Sequence, residues 1–195
     1  RVIVEPEGAS YDLTHDKLSE VAYASLSPVR RRVLQGRVAQ ALERIHEDGL
    51  EEVSAQIAAH YERAGETREA VPHYLRAAQV ARQVYANEEA MRHYRRVLQL
   101  LEESSHSREA RLQALLGLGS VLHIIGQFAQ AESYLRQAVD LGHEMELDAT
   151  EMARLYYWLG ETCFWQSRPE DALVLGQEGL SRLGADQASV TAAVL

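Results

Sequence analysis

The sequence has a single cysteine, Cys163. That excludes an intramolecular disulfide and suits a reducing compartment, so a cytoplasmic location is expected. No apolar run reaches the ~18 residues needed to cross a bilayer, and no segment reads as a signal peptide. There is no glycine-rich phosphate loop, no Walker A motif and no Ser-His-Asp order. Histidines stand at 15, 46, 60, 73, 93, 106, 123 and 143, and none is paired at metal-ligand spacing with a cysteine or carboxylate on the same helical face. No catalytic role, no resident metal and no membrane partner are therefore expected. Basic residues are scarce late in the chain: residues 101–195 carry 6 basic and 14 acidic side chains, against 7 and 8 over 1–50 and 7 and 7 over 51–100. Phosphate binding wants lysine and arginine gathered on one face, so direct nucleic-acid contact is not expected either. The missing initiator methionine, and last residues that read as the start of a helix, lead us to expect an excised piece of a longer chain.

What is present is a repeat. Ala90, Ala131 and Ala172 follow one another at an even step of 41, each early in an amphipathic segment: Asn87-Glu88-Glu89-Ala90 with Tyr94 and Val97, Gly126 to Ala138, and Ser167 to Leu175. Ala70, with Tyr74 and Ala77, fits the same helix type but precedes Ala90 by only about half that step. Gly119 and Gly160 stand at one fixed offset before Ala131 and Ala172, where tiny side chains let two helices close to about 8–9 Å. Leu115, Leu118 and Leu122, then Tyr156, Leu159 and Cys163, recur at the spacing of one buried helical face. A period near 40 with two amphipathic helices marks a helical solenoid.

In chain order, Val2-Ile3-Val4 and Ser10 to Leu13 predict a small β-hairpin around Glu5-Pro6-Glu7-Gly8. Thr14 then caps a helix with Leu18, Val21, Ala22 and Leu26 as its buried stripe. Ser27-Pro28 opens a helix over 28–46, with Val33, Leu34, Val38, Ala41, Leu42 and Ile45 on one side and Arg30, Arg31, Arg32 and Arg37 largely on the other. The spacing predicts further helices over 50–64, 67–85 (capped by Thr67), 88–102 (capped by Asn87), 108–125, 129–141, 148–166 and 169–182, with Gly184-Ala185-Asp186 opening another. Pro72 should bend the 67–85 helix or delay its start. That helix is expected to serve twice, closing one hairpin and opening the next.

Gly119, Gly160, Ala131, Ala138 and Ala172 resemble the small-residue positions of the tetratricopeptide repeat. Gly176 and Gly179 depart from that pattern, standing where a large residue and an alanine are usual, and the step of 41 exceeds the usual 34. A second resemblance rests on Tyr11-Asp12-Leu13-Thr14-His15-Asp16-Lys17-Leu18, Val21-Ala22-Tyr23, Leu26 and Arg31-Arg32-Val33-Leu34, continuing through Gln56 to Gly65 and Ala78 to Ala81. It is to the junction between winged-helix domain and repeat sensor in signal-transduction ATPases of the maltose-activator type, with Gln35 where many relatives have histidine. The resemblance implies an all-α fold: a right-handed superhelix of helical hairpins, preceded by a short β-hairpin and helices from a winged-helix domain. Residues 1–48 would be the end of that domain with its linker helix, and 49–195 the repeat array. It implies a sensor or protein-interaction region of a transcriptional regulator, in which an effector relieves autoinhibition. ATP or ADP is expected only with an upstream ATPase domain, which would itself be a partner. His15 matches a histidine that touches the β-phosphate of bound ADP in relatives; packing at its helix's first turn is the alternative. The arginine run would face the ATPase domain or simply water. A non-switching interaction scaffold is the alternative function.

By the repeat resemblance, the inward face carries Gln113, Leu116, Ser120, His123 and Ile124 on one helix and Arg154, Tyr157, Glu161, Phe164 and Trp165 on the next. Tyr156, Tyr157, Trp158, Phe164 and Trp165 are too many aromatics for one narrow stripe. They form either a groove for a protein or small-molecule effector, or a wide buried face. Cys163 falls on the buried face as a core thiol.

Overall fold

The computed structural model describes residues 3–4, 12–13, 21, 23–103 and 107–191, with side chains over 21, 23–102 and 107–183. Strands β1 (Ile3–Val4) and β2 (Asp12–Leu13) pair antiparallel, Ile3 opposite Leu13. The turn between them, His15 and most of the helix expected after Thr14 lie outside the described residues. Val21, expected in a buried stripe, is 65% exposed.

The rest is a stack of helices: α1 (Pro28–Ile45), α2 (Leu50–Ala64), α3 (Thr67–Gln83), α4 (Asn87–Glu103), α5 (Arg108–Ile124), α6 (Phe128–Glu144), α7 (Ala149–Trp165) and α8 (Pro169–Thr191). Each helix packs on the next in sequence, and α3, α5 and α7 also touch in series. This is a TPR-like, all-helical repeat architecture. Local chemistry sets the ends. Ser27, Ser107 and Asp148 accept the backbone N–H three residues on, each meeting a donor the first turn leaves unpaired. Thr67 and Asn87 are themselves the first helical residues rather than caps. Pro72 sits inside an unbroken α3.

The period is stricter than the side chains suggest. Helices α3, α5 and α7 are equal in length and begin at 67, 108 and 149; α4, α6 and α8 begin at 87, 128 and 169. The turns joining them place Tyr85, Gly126 and Ser167 in left-handed backbone, at φ 59°, 79° and 62°. In each, the next amide bonds a carbonyl five residues back: Ala86 to Ala81 at 2.9 Å, Gln127 to Leu122 at 2.8 Å, Arg168 to Cys163 at 3.0 Å. This closure satisfies carbonyls that the helix end strands. The same turn thus recurs at this point of every period, and of these three copies only that at 126 has the glycine that left-handed backbone favours. The same closure also follows α2 at Gly65 and α6 at Glu146, with Glu66 bonding Tyr61 at 2.9 Å and Leu147 bonding Gly142 at 3.1 Å.

The double service expected of 67–85 has a structural basis, since α3 packs on both α2 and α4. It holds the first-helix place of a full hairpin, with Ala78 occupying the position of Gly119 and Gly160. A Cβ on Gly119 would come 2.7 Å from Cγ of Leu135, the close approach expected there. One on Gly160 would meet the Ala172 carbonyl oxygen only at 3.5 Å, ordinary contact, so that crossing does not demand glycine. Three expectations are corrected. Helix α6 continues through 142–144, expected as loop, because Gly142 is buried beneath Met152 and Leu155. Helix α8 runs to Thr191 with no break at Gly184. On α1, Gly36 and Ala39 face the stack, whereas Val33, Val38 and Ile45 are exposed, since close approach to α2 selects the small residues of that helix.

Candidate functional site

The candidate inward residues divide by burial. Gln113 and Arg154 are exposed; Leu116, Tyr157, His123 and Glu161 are half-buried. Ser120 is a correction: it is 1% exposed, with its hydroxyl donating to the Gly117 carbonyl at 2.9 Å, because α5 lies between α3 and α7. Arg82 of α3 reaches the Ser120 oxygen at 3.4 Å. One hairpin later His123, at the register position of Arg82, reaches the residue after the position of Ser120, its Nδ1 lying 3.0 Å from Thr162 Oγ1. Thr162 donates its one proton to the Trp158 carbonyl at 2.7 Å, so the imidazole N–H is the donor to Thr162. Burial lowers the His123 pKa, with Glu161 opposing; the neutral ring is the form that fits.

His123 is also the middle of a ladder of rings. Tyr157 meets Trp158 edge to face at 5.7 Å between centroids, and Trp158 meets His123 at 5.5 Å. His123 meets Phe128 at 5.5 Å. Phe128 stacks on Trp165 at 6.2 Å with planes 8° apart, and Trp165 meets Phe164 at 6.2 Å. Such pairs add about 0.5–1.5 kcal/mol beyond burial, so the rings hold one another in place. Their outer end is open: Phe164 is 56% exposed, Trp165 59% and neighbouring Ile124 52%. Tyr156, by contrast, is core. The aromatics of α7 are therefore partly core and partly surface.

An ionic clamp fixes the ladder's edge. Glu132 of α6 accepts from Arg168 at 2.9 Å, from Gln166 at 2.8 Å and from Arg136 at 2.6 Å. Burial pushes its carboxyl pKa up, but these three donors outweigh that and hold it at about 2. Arg168 also binds Asp171 at 2.7 Å. The turn that follows Trp165 is thereby tied to α6, which starts with Phe128. Cys163 lies beneath, fully buried, with its thiol pKa raised by burial, and is chemically quiet.

Sequence reasoning missed Phe128 and Thr162. Phe128 stands outside the two first helices from which the inward face was read; its place directly after Gly126-Gln127, opposite the end of α7 in the next hairpin, was the available signal. No group of three or more His, Cys, Asp or Glu among the described residues could hold a metal ion. No described helix is long and apolar enough to cross a membrane. What the arrangement offers chemically is recognition: aromatic faces, an imidazole and flanking charges.

A tetratricopeptide-repeat family model matches residues 112–141, most of α5 and α6. No match was found among curated proteins. Among solved structures, the chain is similar to BtubC (BKLC) from P. vanneervenii, with a TM-score of 0.55 at 15% identity over 80% of this chain and 74% of that one. At that identity the likeness is one of fold.

Proposed function

We propose that the chain is a protein-interaction region of TPR-like type and that its binding surface is the open end of the aromatic ladder. The observation that carries this is register. One or two periods earlier, the positions of Trp158, Phe164, Trp165 and Phe128 hold Arg76, Arg82, Gln83 and Asn87. The stack is built equally well there without rings, so packing does not demand them at α5–α7. Half-exposed tryptophan and phenylalanine in a fixed frame are what binding hot spots use. A partner's apolar side chains would lie on Phe164 and Trp165, with Arg154 and Glu161 at the margin. Capture of partners from host extract by the wild-type chain and by Phe164→Ala and Trp165→Ala tests this. A protein recovered by wild type and lost by both folded variants supports the surface; equal recovery refutes it.

The narrower reading, an effector-sensing region of a signal-transducing ATPase that regulates transcription, is supported by the resemblance over residues 11–34. In it the effector binds the array, and only an effector with different affinities for closed and open states could switch it. The expectation is a Walker A motif upstream, with ADP raising the melting temperature of the whole protein and His15→Ala removing that rise. No nucleotide effect would leave the scaffold.

A further inference from the structure

Helices α2 and α4 both pack on α3, and between them runs an open groove of about 730 Å³. Ala55 and Ala59 of α2 line it with the buried rings of Tyr74 and His93, while Arg92, Arg95 and Arg96 of α4 stand along the other wall. The acid within it is already engaged. Glu62 accepts from Tyr74 Oη through one oxygen and from Arg96 through the other, both at 2.6 Å. Burial raises the Glu62 pKa, but those two donors bring it below its ordinary value. Arg92 meets Glu89 only at 3.5 Å with both side chains largely in water. Arg95 meets no carboxylate among the described residues. The groove therefore carries surplus positive charge in a chain of net charge −9.

That charge does not serve the stack. One and two periods later, Arg92 is replaced by Ser133 and Val174, Arg95 by Arg136 and Gln177, and Arg96 by Gln137 and Glu178. Arg136, the one retained cation, is engaged by Glu132 of its own helix. We propose that the α2–α4 groove docks an acidic segment of a partner protein, small apolar side chains lying on Ala55 and Ala59 and carboxylates pairing with Arg92 and Arg95. Charge complementarity selects the partner, and the alanine floor leaves room for it. This surface is separate from the aromatic ladder of α5–α7.

The test is fluorescence anisotropy of a labelled helical peptide carrying one glutamate stripe and one alanine–leucine stripe, added to the full chain at low salt. We expect saturable binding that weakens with salt. Arg92→Glu with Arg95→Glu should weaken it by at least about tenfold, since each reversal replaces an attraction by a repulsion. Both side chains are exposed, so helicity by circular dichroism should be unchanged, and Trp165→Ala should bind the peptide as wild type does. Equal binding by the reversed variant, or none by wild type, overturns the proposal. So does tighter binding of a single-stranded oligonucleotide, which would make the groove a phosphate site. Salt-sensitive self-association abolished by the same reversals would assign the groove to a second copy and overturn it too.

Discussion

Two glycines in neighbouring hairpins should respond oppositely to one added methyl group. At Gly117 a Cβ would lie 2.3 Å from Cζ of Tyr94, 2.5 Å from Cε1 and 2.7 Å from the hydroxyl oxygen. Tyr94 is 2% exposed, so its ring has no free space to move into. Overpacking costs about 1–3 kcal/mol, and a clash this close with a buried ring falls in the upper part of that range, about 2–3 kcal/mol, offset by about 1 kcal/mol from removing a helical glycine. The net expectation for Gly117→Ala is a loss of roughly 1–2 kcal/mol. At Gly160 the nearest atoms to a Cβ are the Ala172 oxygen at 3.5 Å and Leu175 Cβ at 3.7 Å, ordinary contact. There the helix term stands alone, and Gly160→Ala should gain about 0.5–1 kcal/mol. For a chain of this size the two variants should melt roughly 3–12 °C apart, on either side of wild type. Thermal melts by circular dichroism at the helical band read this directly. Tyr94→Leu supplies the control: on that background Gly117→Ala should turn from destabilising to neutral or better. A Gly117→Ala chain that melts at or above wild type, or no coupling to Tyr94, would refute the packing argument.

Three other outcomes follow from the same geometry. Leu135 is fully buried, and a Cβ on Gly119 would sit 2.7 Å from its Cγ; Leu135→Ala should lose about 2–5 kcal/mol, part of which Gly119→Ala recovers, as urea unfolding midpoints would show. Tyr85 is 81% exposed at φ 59°, so Tyr85→Gly should raise stability by about 0.5–1 kcal/mol by relieving left-handed strain, whereas Gly126→Ala, at φ 79°, should lower it; equal effects would contradict the shared turn. Burial lowers the pKa values of His60, His93 and His123, so the unfolded chain takes up protons first and the melting temperature should begin to fall as pH drops below about 6.5. Glu132, held at about 2, and Glu62, also held below its ordinary value, add a later loss as pH falls below about 4.5; Glu132→Gln should shrink that later step and leave the fall below about 6.5 unchanged.

The helices were legible because their signals are local. Ser27-Pro28, Gly65, Ser107 and the even alanine spacing each mark an end or a face close to where they act. The groups that build the surface were legible one helix at a time. His123 and Trp165 could be placed on inward faces by period, but their link runs through Phe128, on a third helix, and only the folded chain brings the three together. Gly117 escaped notice for the same reason: the ring it accommodates, that of Tyr94, lies on the preceding helix, and no period relates the two. Ser120 was misplaced because a polar residue on an amphipathic helix reads as surface unless a neighbouring helix is known to cover it. The end of α8 was misread because Gly184 resembles a stop signal, and a glycine within a helix differs from one that ends it only by its backbone angles.

The near-identical turn at Tyr85, Gly126 and Ser167 has a consequence for how the molecule loosens. Each hairpin closes itself through its own Ala86, Gln127 or Arg168 amide, while the main helix contacts reach only the next helix or the one after it. Nothing then obliges the chain to open all at once. Hydrogen exchange should then differ from hairpin to hairpin, slow along α5 and α6, which have packed neighbours on both sides, so that the two proposed surfaces would be lost at different points as the stack loosens.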